Sequence, residues 1–256
     1  MSVDREDLLR IERVSKRYGG LDALRDVSFD VAAGQICGII GPNGAGKSTL
    51  FNVISGAVPP SAGRIVFAGE DVTTLPMHRR ARRGIARTFQ LANTFDTMSV
   101  ADNVMVGAEG HASLGLLAGL THLGGHRRDE AAARHRAGAA MELAGVSALA
   151  DVPASRLTFG QQRLVVTARA LAAQPRLLML DEPAAGLSGG DIDHLCAMVL
   201  RAREAGATIV VVEHNMDVIM RLCERVVVMH LGEKIGDGTP DSVRQSEQVV
   251  EAYLGA

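Results

Sequence analysis

The residues from Gly41 to Thr49, Gly-Pro-Asn-Gly-Ala-Gly-Lys-Ser-Thr, combine the side chains and the bare backbone that hold a polyphosphate. Glycine lets successive N–H groups curl around phosphate oxygens without Cβ clashes. Lys47 adds a point charge for β- and γ-phosphates, and the Ser48 hydroxyl is a hard oxygen donor suited to Mg²⁺. The run fits G-x-x-x-x-G-K-[ST], a pattern that carries its mechanism only between a strand and a helix. Both neighbours are legible. Gln35 to Ile40 is a short apolar run that stops at Gly41, and Lys47 to Ser55 fits a helix whose positive dipole end faces the anion. Gly41, Pro42, Asn43, Gly44, Ala45, Gly46, Lys47, Ser48 and Thr49 are therefore the candidate residues for binding a nucleoside triphosphate with its magnesium.

A second constellation supplies charge and proton handling. Leu177-Leu-Met-Leu-Asp-Glu182 is an apolar strand ending in two carboxylates. Asp181 suits Mg²⁺, and the adjacent Glu182 suits the orientation or deprotonation of an attacking water. His214 follows the apolar run Thr208 to Val212, and a polar residue at the carboxyl end of a parallel strand faces the ligand crevice. Gln90, after Arg87-Thr-Phe, is placed to sense the γ-phosphate or the metal. Each of these is weak alone and gains force from the loop.

The elements that must position these groups alternate between strand and helix. Leu8 to Val14, Val27 to Val31 and Arg64 to Ala68 read as strands, as do Gln35 to Ile40, Leu177 to Leu180, Thr208 to Val212 and Arg225 to Met229. From Val100 to about Ala173 alanine and leucine dominate, and Asp129 to Ala144 is strongly helix-prone. This pattern predicts an α/β chain with a mainly parallel sheet and an inserted helical subdomain, the core covering about 1–97 and 174–256 and the subdomain about 98–173. The glycine-rich stretch Gly107 to Gly125 reads as a connector, and no internal repeat is visible, so one nucleotide-binding unit is expected.

The bulk numbers agree with an ordinary folded chain. There are 256 residues, 47% hydrophobic and 22% charged, enough for a substantial core and against global disorder. With 27 Lys+Arg against 29 Asp+Glu the balance is slightly acidic, which argues against a nucleic-acid partner. Cys37, Cys196 and Cys223 lack CxxC spacing and read as reduced thiols of a cytosolic protein. Leu114 to Leu123 is half the length of a membrane span and reads as a short packing helix.

Leu157-Thr-Phe-Gly-Gln-Gln-Arg163, with Asp181 downstream of it, makes the chain resemble the ATP-binding cassette (ABC) family. The resemblance covers nearly the whole chain and implies a RecA-like P-loop NTPase core with an antiparallel β edge. It implies that Thr158, Gly160 and Gln161 are signature residues closing over ATP held by a second ATPase subunit. It also implies that Tyr18 stacks on adenine, Gln90 is the Q-loop residue and metal contact, Asp181 and Glu182 are the metal and catalytic carboxylates, and His214 is the switch histidine. Phe159 departs from the usual signature glycine, and Ser188 stands where many members have aspartate. Phe159-Gly-Gln-Gln-Arg163, Arg87-Thr-Phe-Gln-Leu91, Asp181-Glu-Pro-Ala-Ala-Gly-Leu187 and the tail Glu251-Ala-Tyr-Leu-Gly255 resemble the ATPase subunits of bacterial branched-chain amino acid importers. That resemblance implies membrane permeases and a periplasmic binding protein as partners, ATP and Mg²⁺ as ligands, and a peripheral position on the cytoplasmic face of the inner membrane. A lipopolysaccharide-export cassette and an ABC ATPase of DNA repair or translation are the competing functions, and a P-loop kinase would lack the signature and the histidine.

Two further clusters have plain readings. Arg79, Arg80, Arg82, Arg83 and Arg87 suit either a solvated helix face or a contact with anionic lipid or an acidic permease loop. His111, His122, His126 and His135 are spaced poorly for zinc.

Overall fold

The structure, a computed structural model, describes residues 6–88, 94–109 and 125–254. The chain forms two compact units, one of Met1–Gln90, Arg176–Ala185 and Arg203–Ala256, the other of Leu91–Pro175 and Gly186–Ala202.

The first unit holds two sheets. β1 (Asp7–Tyr18) and β2 (Leu21–Ala32) form an antiparallel hairpin, extended by β4 (Ala62–Phe67) and β5 (Glu70–Asp71) in the order β2-β1-β4-β5. The hairpin is longer than hydrophobic alternation alone suggests. Pairing continues through Lys16↔Leu24 and Arg17↔Asp22, where polar side chains hide the period-2 signal and register shifts break it.

The second sheet carries the chemistry. Its order is β10 (Glu233–Gly238), β9 (Arg225–His230), β3 (Ile36–Ile40), β8 (Thr208–Val212), β7 (Leu177–Asp181) and β6 (Ile85–Arg87). All neighbours are parallel except β10, which is antiparallel to β9. Every residue of β3, β7 and β8 is buried, which is why those strands read as continuous apolar runs. One buried cluster joins Ile11, Phe29 and Phe67 of the antiparallel sheet to Ile39, Met179 and Val210 of the parallel one, through Leu50, Phe51 and Ile54 of helix α1 (Lys47–Ser55).

The basic cluster splits in two. Arg79, Arg82 and Arg83 are exposed, and Arg83 pairs with Glu70 at 2.8 Å. Arg80, at the heart of the short helix α2 (Met77–Ala81), is 1% exposed, so it belongs to neither a solvated face nor a membrane contact. Its guanidinium donates to the carbonyls of Val53 and Ile54 in the last turn of α1, and to those of Thr73 and Leu75 ahead of α2, at 2.7–2.9 Å. Burial pulls its pKa down to about 10, still high enough to keep it charged at neutral pH. Arg87 is also turned inward, as described below.

In the second unit, α3 (Val100–Glu109), α4 (Gly125–Ala144) and α5 (Phe159–Ala172) pack against one another, with α6 (Gly189–Glu204) beginning in the same unit. Helix α4 turns Ala133, Ala137, Ala140 and Ala144 inward at helical spacing, a small-residue stripe that lets its neighbours approach closely. Gly107 of α3 sits against the Arg169 carbonyl of α5, where a Cβ would collide. Buried Asn103 accepts from the Phe95 N–H at 2.7 Å and donates to the Ser99 carbonyl at 2.9 Å, closing the entry to α3. Gln90, His111, His122 and Leu114 to Leu123 lie outside the described residues. Among the described residues no helix is long and apolar enough to cross a membrane, and no group of three His, Cys, Asp or Glu residues could hold a metal ion.

Cys37, Cys196 and Cys223 are all buried and none is in a disulfide, and burial pushes the Cys37 thiol up to about 12. Thiolate, the reactive form, is therefore scarce at neutral pH. A thiol reagent such as DTNB should leave the folded protein unlabelled over minutes and titrate all three thiols in denaturant.

Candidate active site

Three strands of the parallel sheet end level with one another. Val212 of β8 is in register with Ile39 of β3 and with Asp181 of β7, while Ile40 pairs with Val228 of β9. The residues that follow these strands therefore emerge along one edge, where open α/β sheets bind ligands. They are Gly41 onward, Glu182 onward and Glu213-His214 onward.

The loop after β3 has the shape its sequence requires. Gly41, Gly44 and Gly46 take φ of 150°, 80° and 98°. At Gly41 a Cβ would run into the Met229 carbonyl, and at Gly46 it would come within 2.7 Å of the Ala23 carbonyl. Gly44 faces open space, so its left-handed backbone is what selects glycine there. Gly46 caps α1 with no side-chain acceptor, which leaves the first-turn N–H groups facing the cleft for an anion. The Lys47 ammonium donates to the Gly41 and Pro42 carbonyls at 2.7 and 2.9 Å, holding the loop closed on itself. Burial lowers the Lys47 pKa, and the Glu182 carboxylate partly offsets this.

Asn43, Gly44, Ala45, Gly46, Lys47, Ser48, Thr49 and Glu182 line a single cleft of about 370 Å³, within the size range of ligand pockets. Its other walls were not foreseen from sequence: Leu21 to Ala23 and Arg25 of β2, and Leu231 and Gly232 after β9. Leu21 and Leu231 are 66% and 67% exposed, large apolar side chains held at the rim. Two backbone bonds tie this wall to the loop, Gly232 N–H to the Ala45 carbonyl at 3.1 Å and Arg25 N–H to the Gly232 carbonyl at 2.8 Å. Tyr18 lies at the end of β1, 44% exposed and 5.0 Å from the Lys16 ammonium, and it does not line the cleft. The C-terminal helix α9 (Glu247–Leu254) reaches the loop from another side: the Tyr253 hydroxyl is hydrogen-bonded by the backbone of Gly41, while burial raises its pKa.

The two carboxylates of the acidic pair have different surroundings. Asp181 is 7% exposed and forms an ion pair with Arg87 at 2.8 Å, both side chains more than nine-tenths buried. Arg87 also donates to Asn52 Oδ1 at 2.6 Å and Ser55 Oγ at 3.2 Å, so α1 and β6 both hold it in place. Glu182 is half-buried, with φ at 46°, a left-handed conformation that costs a non-glycine residue roughly 1–3 kcal/mol. Its N–H donates to the Val212 carbonyl at 2.9 Å. His214 is exposed, one residue beyond the fully buried Glu213, and Asn215 caps α7 (Met216–Leu222) by accepting from Asp217 and Val218 N–H groups.

Ser48 and Asp181 are the oxygen donors that would hold Mg²⁺. Mg²⁺ takes one or two protein oxygens together with nucleotide phosphates and water, and a hydroxyl and a carboxylate are hard donors of that kind.

Thr158, Phe159, Gly160 and Gln161 belong to the second unit. Thr158 Oγ1 accepts from Gln161 N–H at 3.3 Å, and Gln161 Oε1 accepts from Thr158 N–H at 2.9 Å. The T-x-x-Q spacing is thus a reciprocal cap on α5. A Cβ at Gly160 would collide with the Asp191 carboxylate, which the Ser188 hydroxyl bonds at 2.9 Å. Phe159 is 51% exposed, with the Arg163 guanidinium 5.0 Å from its ring.

A phosphate-cradling loop between strand and helix, sharing its cleft with a carboxylate from the turn after β7, defines a P-loop nucleotide-binding ATPase. Comparisons with known proteins agree. A family model for the ABC transporter matches residues 24–185, and one for the branched-chain amino acid ATP-binding cassette transporter matches residues 233–256. The high-affinity branched-chain amino acid transport ATP-binding protein BraF of Pseudomonas aeruginosa is 38% identical over 249 residues, covering 97% of this chain and 98% of that one. LivG of Escherichia coli, of the same description, is 36% identical over 251 residues, covering 98% of each. The lipopolysaccharide export system ATP-binding protein LptB of Escherichia coli is 36% identical over 247 residues, covering 96% of this chain and 97% of that one. Among solved structures, a nucleotide-free ATP-binding cassette from an ABC transporter has a TM-score of 0.85 at 32% identity, covering 98% of this chain and all of that one. The ADP conformation of an ABC transporter cassette has the same TM-score at 33% identity, with the same coverage. The chain belongs to the ABC transporter family, as one of its ATP-hydrolysing cassettes.

Arg87 and Glu213 are the site residues that sequence reasoning missed as such. Arg87 sits inside a quoted motif and Glu213 directly precedes His214, but nothing local distinguishes a buried charge from a solvated one. Replacing Arg87 by Ala leaves the Asp181 carboxylate buried beside polar groups that no longer neutralise it. Breaking a buried pair from one side costs about 3–5 kcal/mol. Urea denaturation of Arg87→Ala should show a loss of that order, whereas a change below about 1 kcal/mol would mean the pair is not a structural element.

Proposed function

We propose that this chain energises import of branched-chain amino acids or related amino acids and amides, by hydrolysing Mg-ATP as a peripheral subunit on the cytoplasmic face of the inner membrane. The observation that carries the hydrolytic part is the shared cleft: Lys47, Ser48 and Glu182 line one cavity although they come from different strand ends.

In this mechanism the loop N–H groups and the α1 dipole cradle the β- and γ-phosphates. Lys47 exchanges its two carbonyl acceptors for phosphate oxygens, whose negative charge favours the ammonium that burial disfavours. Ser48 and Asp181 would hold Mg²⁺, which would supply positive charge to the phosphate oxygens. Glu182 orients the attacking water and accepts its proton, and His214 contacts the γ-phosphate from the end of β8. Tyr18 offers its exposed ring to the adenine. Gln90 would serve as the residue that senses the metal and γ-phosphate, as its place after Arg87-Thr-Phe implies, and Thr158, Gly160 and Gln161 of a second ATPase subunit would complete the anion site. The working assembly is a homo- or heterodimer of cassettes on two permeases, fed by a periplasmic binding protein.

The amino acid substrate is supported by BraF and LivG and by the match of residues 233–256 to the branched-chain model. LptB is as similar in identity as LivG, and the tail match favours the amino acid reading over lipopolysaccharide export.

Glu182→Gln should keep ATP affinity within about two-fold and lower kcat by at least about 100-fold, the usual scale for a lost general base; unchanged turnover removes Glu182 from that role. Lys47→Ala should weaken ATP binding by about 10- to 100-fold, since a charge-assisted contact contributes about 1.5–3 kcal/mol. Isothermal titration decides this. For the transport reading, purification from membranes should recover two permeases, and the reconstituted assembly should take up labelled leucine only with ATP. Recovery of lipopolysaccharide-export components, or of nucleic acid, would contradict it.

A further inference from the structure

Glu213 is a buried carboxylate for which the mechanism above has no use. It is 0% exposed. Its Oε1 accepts from the Ala184 N–H at 2.7 Å, and its Oε2 accepts from the His214 and Asn215 N–H groups at 3.0 and 3.2 Å. Ala184 belongs to the turn that follows Glu182, and the other two donors belong to the turn that presents His214. One side chain therefore staples together the two turns that carry both reacting-end residues. The chemistry suits an ionised carboxylate. It is acceptor-only, with an oxygen for each turn, whereas the amide of glutamine would aim an NH₂ at N–H donors on one side. Bonds from N–H to an ionised acceptor are also the stronger kind.

The turn it holds needs holding. Glu182 is in the left-handed region at φ 46°, with its N–H on the Val212 carbonyl at 2.9 Å and its carbonyl accepting from Ala185 N–H at 3.1 Å. A strained residue persists where its surroundings over-determine it. The bond from Ala184 to Glu213 fixes the far side of that strained turn. From this geometry we propose that Glu213 is a positioning residue for hydrolysis, whose carboxylate sets the aim of Glu182 and His214 on the phosphate end of the cleft as one unit. The proposal rests on the reading of Glu182 as the group that handles the attacking water.

The test uses the full chain in four forms besides wild type: Glu213→Gln, Glu213→Asp, Glu182→Gln, and the double variant E182Q/E213Q. The measurements are kcat, KM for Mg-ATP, equilibrium affinity for a non-hydrolysable ATP analogue, and thermal unfolding. Glu213→Gln should lower kcat by about 10- to 100-fold, the scale of a misaimed catalytic group. KM and affinity should stay within two-fold, because the Lys47 loop is untouched. Glu213→Asp keeps the charge but not the span, so it should show the same kcat-selective loss. In the Glu182→Gln background, Glu213→Gln should change the residual rate by less than two-fold, since groups that act as a unit are not additive.

If Glu213→Gln turns over normally while Glu182→Gln is inactive, the positioning role is wrong and the role of Glu182 stands. If Glu182→Gln itself turns over normally, the reading of Glu182 falls instead. Affinity falling in step with kcat, or an undiminished further loss in the double variant, makes Glu213 a general structural residue and overturns the proposal. If Glu213→Gln does not fold, Glu213→Asp carries the same comparison, and failure of both to fold also overturns it.

Discussion

Everything at the nucleotide end of this protein depends on where β8 stops. Val212 is hydrogen-bonded in register with both Ile39 and Asp181, so the strands on either side of β8 end at its level. The backbone reverses into three turns at one height, and each turn exposes the groups its strand cannot use. The loop after β3 exposes N–H groups and an ammonium, and the turn after β7 exposes a carboxylate. The turn after β8 exposes an imidazole. A slip of one residue in either ladder would turn every side chain to the other side of the sheet and scatter this set. Because β3, β7 and β8 are buried throughout, such a slip would have to repack the core on both faces.

A site built on a buried sheet has to manage charge without water, and here it does so with internal partners. Arg80 ties the end of α1 to the segment before α2 through two carbonyls of each, Arg87 neutralises Asp181 while bonding α1, and Glu213 gathers three N–H groups. Each buried charge bonds backbone or side chains on more than one segment, so each fixes relative positions as well as its own. Lys47 differs, because its present partners are the carbonyls of its own loop and burial disfavours its charge. That makes it the charged group best placed to change partners when a polyphosphate arrives.

Much of this was legible in the sequence, and the reason is locality. The phosphate loop needs glycines at fixed offsets beside a lysine, and Gly41 and Gly46 each border a carbonyl that only a missing Cβ tolerates. The buried strands announced themselves as apolar runs. What stayed hidden depended on partners distant in sequence. Arg87 read as one more arginine of a basic run, yet Asp181, its counter-ion, lies in another strand 94 residues on. Glu213 drew no reading beside His214, yet Ala184 makes it an interior staple. Leu21 and Leu231 carried no motif at all, and β10, with Gly236 and Gly238 and several charges, lacks the alternation that marks a strand.

The central claim is that the Gly41 to Thr49 loop and Glu182 act on one nucleotide in one cleft. It is tested most directly by a crystal structure with magnesium and a non-hydrolysable ATP analogue. The account predicts Lys47 Nζ released from the Gly41 and Pro42 carbonyls onto β- and γ-phosphate oxygens, with Ser48 and Asp181 on the metal side. It also predicts Glu182 within one water of the γ-phosphate. A nucleotide bound elsewhere, or phosphates in the cleft with Lys47 still on its own loop and Glu182 turned away, would contradict it.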